Sequence, residues 1–244
     1  MTSPMDMPLP KAILFDLDDT VLATSEGAED DWRAICHEFQ LRTDGVTPER
    51  LHQAIREHRD WFWSDPVRHR RGRLNPMATL VNNIHAALES LGLDSPLHLA
   101  EDMAYTWRGR RQASLKPFPG ALEALTKLRE SGVRLGMLTN GSMEMQRSKI
   151  ERAGLADFFD YIQIEGEFGA GKPEQEAYLH ALNRLGASPP QAWMAGDSLD
   201  MDVAASQAVG LHGIWVDHQN AGLPEHSRVR PDRIVQAISE LVSR

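Results

Sequence analysis

The chain has 244 residues, 41% of them hydrophobic and 25% charged, with a formal net charge of −9. That length suffices for one large domain or a core carrying an insert, and the acidic balance argues against a nucleic-acid partner or an anionic membrane surface. A single cysteine, Cys36, excludes an intrachain disulfide; with no signal-like N-terminus and no apolar run of about 20 residues, a soluble, cytoplasmic protein is expected.

In chain order, Ala12 to Phe15 read as a short buried strand, since the run is apolar, aromatic and bounded by charge. It runs straight into Asp16-Leu17-Asp18-Asp19-Thr20, which places carboxylates at the carboxyl end of a strand, where open parallel sheets bind ligands. Period-two alternation puts Asp16 and Asp18 on one face. Carboxylates that close repel unless a cation or a shared proton lies between them, which suits a hard divalent ion, most simply magnesium. Taken alone, the segment reads equally as a polar turn.

Helical periodicity then takes over. Trp32, Ile35, Cys36 and Phe39 share a helix face, which makes Cys36 a buried structural thiol. Thr47 and Pro48 resemble an N-cap and first helical residue, opening a helix with Leu51, Ala54 and Ile55. Met77, Leu80, Val81, Ile84, Leu88 and Leu91 form a third stripe closed by Gly92, and Leu99, Met103 and Trp107 a fourth. Residues 23–115 are therefore expected to be an all-helical insert between residues 1–22 and 116–244. Within it, the aromatics of Trp61 to Arg73 read as packing and the arginines as solvated; the alternative is a grip on a base, sugar or acidic group. Residues 21–116 carry 13 basic and 14 acidic side chains against 13 and 21 elsewhere, so the insert is near neutral, which mildly favours an anionic ligand there.

Lys116-Pro-Phe-Pro-Gly120 ends the helical region. Strands are then expected at Val133 to Leu138, Tyr161 to Ile164, Ala192 to Ala195 and Gly213 to Val216. Helices are expected between them, including Ser142 to Gly154, Glu174 to Leu185 and Val203 to Val209. Residues 217–232 read as a polar loop and Ile234 to Leu241 as a last helix. Short apolar strands alternating with helices define an α/β chain with a Rossmann-like parallel sheet.

Polar clusters follow three of the later elements. Thr139 and Asn140 offer a hydroxyl and an amide ahead of a capped helix, a setting that favours phosphate oxygens. Lys172 follows a glycine loop and precedes what reads as a Pro-started helix; a fixed lysine there would neutralise a phosphoryl group or a carboxylate. Asp197 follows a strand and a glycine as a natural metal ligand, with Asp200 and Asp202 as supporting groups or helix caps. Separate turns would have no reason to converge on one sheet edge, as these clusters would.

These four clusters, Asp16-Leu-Asp18-Asp-Thr20, Thr139-Asn140, Lys172-Pro173 and Gly196-Asp197 with Asp202, resemble the motifs of the haloacid dehalogenase superfamily, in order and in context. The resemblance implies that Asp16 forms an aspartyl-phosphate and that Asp18 protonates the leaving oxygen and then activates water. It further implies that magnesium is held by the Asp16 carboxylate, the Asp18 main-chain carbonyl and Asp197. Thr139 and Lys172 would bind the phosphoryl group, with Asn140 beside them, and Asp202 would steady Lys172 or a metal-bound water. Dehalogenases of the superfamily generally lack an acid at the position of Asp18, so its presence points to phosphate esters. The helical insert is similar to the superfamily's mobile cap, and the stretch from Thr139 through Gln146 to Gly154 resembles the branch of pyrimidine nucleotidases and N-acylneuraminate 9-phosphatases. A phosphatase of a small phosphorylated metabolite is the expectation. A phosphoglucomutase-like transferase shares the motifs, and a phospho-accepting receiver domain would instead carry its aspartate on a later strand and need no insert.

Overall fold

The structure, a computed structural model, describes residues 8–93 and 97–242; the N-terminal segment read above as carrying no signal lies largely outside them. By packing, the chain divides into two compact units: one runs to Thr24 and resumes at Lys116, and the other spans Ser25–Leu115.

The first unit is built on a six-stranded sheet. Its strands are β1 (Ala12–Phe15), β2 (Arg134–Thr139), β3 (Tyr161–Ile164), β4 (Ala192–Gly196), β5 (His212–Val216) and β6 (Arg233–Val235), all parallel to their neighbours in the order β3-β2-β1-β4-β5-β6. β1 and β4 are buried along their whole length, as a strand covered on both faces must be, and this is why they are apolar throughout rather than alternating. Strand order reverses between β1 and β4, and in open α/β sheets the crevice at such a switch point receives ligands. Ala12, Leu14, Leu138 and Met194 pack one core with Tyr178, Leu182 and Leu185.

Two expectations for this unit are corrected. The C-terminal segment forms not one helix but the strand β6, in register with β5 from Ile214 opposite Arg233, followed by a 3-10 turn at Ile238–Leu241. The run's β-branched residues suit an edge strand, and Ile234, which suggested a buried helix face, is 47% exposed. The segment after β4 is a π-helical turn, Leu199–Ala204, before a single short helix, where regular helix was expected.

The second unit is all helical: α1 (Ala28–Phe39), α2 (Pro48–Trp63), α3 (Pro66–Leu74), α4 (Pro76–Ser90) and α5 (Leu97–Ser114). Thr47 caps α2 by accepting from the Arg50 amide. The expected faces of α1, α2, α4 and α5 meet in one core around Trp32, Ile35, Leu51, Ile84 and Met103. Cys36 is buried there, and burial, helped by Glu49, pushes its thiol up to about 12, which makes it inert. The Trp61 to Arg73 stretch contains α3, capped by Asp65 accepting from the Arg68 amide at 2.8 Å. Arg68 lies 4.1 Å over the Trp61 ring and donates to the Trp61 carbonyl, and Trp61 and Trp63 are exposed rather than packed as expected. Among the described residues no helix is long and apolar enough to cross a membrane.

Candidate active site

Three further helices of the first unit position the site: α6 (Ala121–Glu130), α7 (Met143–Arg152) and α9 (Gln175–Leu185), with the short α8 (Glu165–Phe168) following β3. The polar residues cluster where β1, β2 and β4 end.

Asp16 is the first residue beyond β1, held there by its amide donating to the Ala195 carbonyl. Its Oδ1 lies 2.6 Å from Lys172 Nζ, and the same ammonium lies 2.6 Å from Asp202 Oδ1. Lys172 is thus buried between two carboxylates. Burial alone would drive its pKa down, but Asp16 and Asp202 outweigh it and the lysine stays charged. Its main chain is fixed as well: Asn140 Nδ2 donates to the Lys172 carbonyl at 2.7 Å, and the Lys172 amide donates to Asn140 Oδ1 at 2.8 Å. The Asn140 side chain is therefore engaged in holding Lys172, whereas the Thr139 hydroxyl, at the end of β2, accepts from Gln146. Lys172 does not introduce a Pro-started helix as expected; α9 begins at Gln175.

Asp202 is fully buried, and both its oxygens are occupied, Oδ1 by Lys172 and Oδ2 by the Ser198 amide at 2.9 Å. The π-helical turn carries it back under β4, and Gly196 makes room: a Cβ there would lie 2.2 Å from Asp202 Cγ. Gly171 is required in the same way, since its Cβ would lie 2.6 Å from Asn140 Oδ1. The cap of the π-helical turn is Ser198, which accepts from the Met201 amide, so neither Asp200 nor Asp202 serves as that cap; Asp200 is exposed. Asp197 follows β4, and its carbonyl accepts from the Trp215 indole.

One carboxylate oxygen from each of Asp16, Asp197 and Asp202 falls within 4.8 Å of the others. Burial, and then repulsion from Asp202, Asp197 and Asp18 against the pull of Lys172, raises Asp16 well above the ordinary carboxylate range. Burial followed by Asp202 pushes Asp197 up to about 7, with Lys172 opposing. Carboxylates so raised call for a proton or a cation, and all-oxygen ligation fits a hard divalent ion. With both Asp202 oxygens already engaged, Asp16 and Asp197 are the side chains suited to hold it.

β1 stops at Phe15 and the chain turns at Asp19, whose φ is 54°; the Asp18 carboxylate, close enough to Asp16 to raise it, meets α7. Lys149 Nζ lies 2.6 Å from its Oδ1, and Gln146 Nε2 donates to its Oδ2 at 2.8 Å and to Thr139 Oγ1 at 2.6 Å. Burial would raise the Asp18 pKa, but the Lys149 charge and hydrogen bonds from Lys149, Gln146 and Thr24 hold it below the usual range. Sequence reasoning gave Gln146 and Lys149 no role. Their signal was a glutamine at the buried position one turn before Ile150, where an apolar residue belongs.

A buried lysine between two aspartates thus lies at the switch point of the parallel sheet. The chain belongs to the haloacid dehalogenase-like hydrolases, whose family model matches residues 10–210. It is 29% identical over 243 residues to the glyceraldehyde 3-phosphate phosphatase of Methanopyrus kandleri, covering 95% of this chain and 98% of that one. It is 25% identical over 249 residues to the N-acylneuraminate-9-phosphatase of Rattus norvegicus, covering 95% and 92%. The solved structure of the putative HAD-hydrolase YfnB from Bacillus subtilis, bound to magnesium, superposes with a TM-score of 0.72 at 22% identity over 96% of this chain and 97% of that one, a likeness of fold.

Proposed function

We propose that this chain is a magnesium-dependent phosphatase that hydrolyses the phosphate monoester of a small metabolite through an aspartyl-phosphate on Asp16. The observation that carries the reading is the Asp16 carboxylate at the end of β1, paired at 2.6 Å with a lysine that Asp202 holds from its far side. A carboxylate is a weak nucleophile, and splitting the displacement into two steps lowers each barrier. Asp18, which Lys149 and Gln146 hold as a carboxylate, must first take up a proton from solvent; Asp16 then attacks phosphorus as the ester P–O bond breaks, and the leaving oxygen takes that proton from Asp18. Water then attacks the acyl phosphate, giving its proton to Asp18 and releasing phosphate and the Asp16 carboxylate. Lys172 and the Thr139 hydroxyl offer charge and a hydrogen bond to the phosphoryl oxygens, the positioning and electrostatic stabilisation that phosphoryl transfer requires. Magnesium, held by the carboxylates of Asp16 and Asp197 with the Asp18 carbonyl, would offset the repulsion between nucleophile and phosphate.

The insert, residues 25–115, is proposed as the element that selects among esters. Glyceraldehyde 3-phosphate, N-acylneuraminate 9-phosphate and nucleoside monophosphates are the first compounds to try. Phosphate release from such a panel, with and without magnesium, tests the reading. Magnesium-dependent release that Asp16→Asn removes is expected; a folded chain that releases no phosphate from any member refutes it.

A further inference from the structure

This inference rests on the phosphatase reading and deepens it. Two side chains of α7 that the chemistry above leaves without a task converge on the residue it uses twice. Gln146 and Lys149 stand three residues apart on one helix face, and between them they hold both oxygens of Asp18. The helix is capped by Ser142, three residues beyond Thr139, which accepts from the Met145 amide, so its register against the end of β2 is fixed.

Gln146 is 2% exposed, and its amide nitrogen has two protons to donate and accepts none. One proton goes to Asp18 Oδ2 and the other to Thr139 Oγ1. Because the Thr139 oxygen receives a hydrogen bond from an obligate donor, its own O–H turns away from Gln146 and is left to donate to a phosphoryl oxygen. Lys149 is 22% exposed and Asp18 32%, a setting in which an ion pair adds little stability. What the pair does fix is direction. Asp18 stands beyond the end of β1, its backbone bridged to Leu22; Thr24 also bonds its carboxylate, but only the α7 side chains hold it from a regular helix.

We propose that Gln146 and Lys149 are positioning residues, Lys149 aiming the Asp18 carboxylate and Gln146 coupling it to the orientation of the Thr139 hydroxyl. A misplacement of about 1 Å costs on the order of 100-fold in rate.

The test uses the full chain with magnesium and p-nitrophenyl phosphate, whose leaving group departs without a proton. Phosphorylation of Asp16 then needs no acid, but hydrolysis of the acyl phosphate still needs Asp18 as base. Lys149→Met is expected to give a burst of about one p-nitrophenolate per active site, then a kcat lowered roughly 10- to 100-fold, with kcat/KM within about threefold of wild type. On an alkyl phosphate, kcat/KM falls as well. Lys149→Arg, which keeps the cation, should recover much of the loss. Gln146→Leu should weaken inhibition by inorganic phosphate severalfold, because Thr139 loses its orientation. Equal loss of kcat and kcat/KM without a burst in Lys149→Met, or unaltered kinetics in both variants with an active wild type, overturns this inference alone. A wild type that turns over neither ester overturns the phosphatase reading and this inference with it.

Discussion

Two lysines reach aspartates at the same 2.6 Å, and the likeness ends there. Lys172 lies between Asp16 and Asp202 with its side chain 3% exposed, whereas Lys149 meets Asp18 at 22% exposure. Around Lys172 water cannot solvate a stray charge, so each partner is required. Asn140 holds the lysine backbone from both sides, the Ser198 amide takes the second Asp202 oxygen, and Gly196 leaves the space. Around Lys149, solvent screens the attraction and the pair acts on geometry more than on stability. Distance alone does not rank ion pairs; the medium does.

Breaking the buried side should have the largest effect. Lys172→Met leaves Asp16 and Asp202 buried without a cation, and a loss of about 3–5 kcal/mol in urea unfolding is expected together with loss of turnover. Adding Asp202→Asn should return part of that stability, because one uncompensated charge is gone; no recovery would mean that the two groups do not share Lys172. Gly196→Ala drives a methyl into Asp202 and should destabilise by about 1–3 kcal/mol, read by the same unfolding curve.

The pH dependence sharpens the contrast. The folded value of about 7 for Asp197 lies above its ordinary value of about 3.9. Between the two, the folded chain binds the extra proton. Its contribution to stability is therefore present at low pH and is lost as pH rises from about 4 to about 7. Melting temperatures in EDTA should show this slope in wild type and a flatter one in Asp197→Asn; the same slope in both would place the titration elsewhere. The smallest effect on stability belongs to Lys149→Met, below about 1 kcal/mol, so this variant should melt close to wild type while its turnover slows.

Much of this site was legible because its residues obey two periodicities at once. Apolar runs such as Ala12–Phe15 and Ala192–Gly196 end abruptly in polar groups, which marks both the strand and its functional end. What was not legible depends on tertiary contact. Gln146 and Lys149 look like the polar face of an amphipathic helix until α7 is laid beside the Asp18 turn. Asp16 and Asp18 were expected to share a face; β1 ends before them, and the two carboxylates still interact, Asp18 helping to raise Asp16. Ile234 and Val235 were read as opening a helix, since nothing local reveals that β5 offers them an edge. Asp200 and Asp202 are alike in sequence, and only the π-helical turn separates the exposed one from the buried one.

The central claim is that Asp16 carries the phosphoryl group, and borohydride trapping addresses it most directly. With magnesium and a turned-over ester present, reduction should convert the acyl phosphate at residue 16 to homoserine, located by peptide mass spectrometry and missing from Asp16→Asn. Sustained phosphate release with no reduction at Asp16, or with reduction at another carboxylate, would contradict the account.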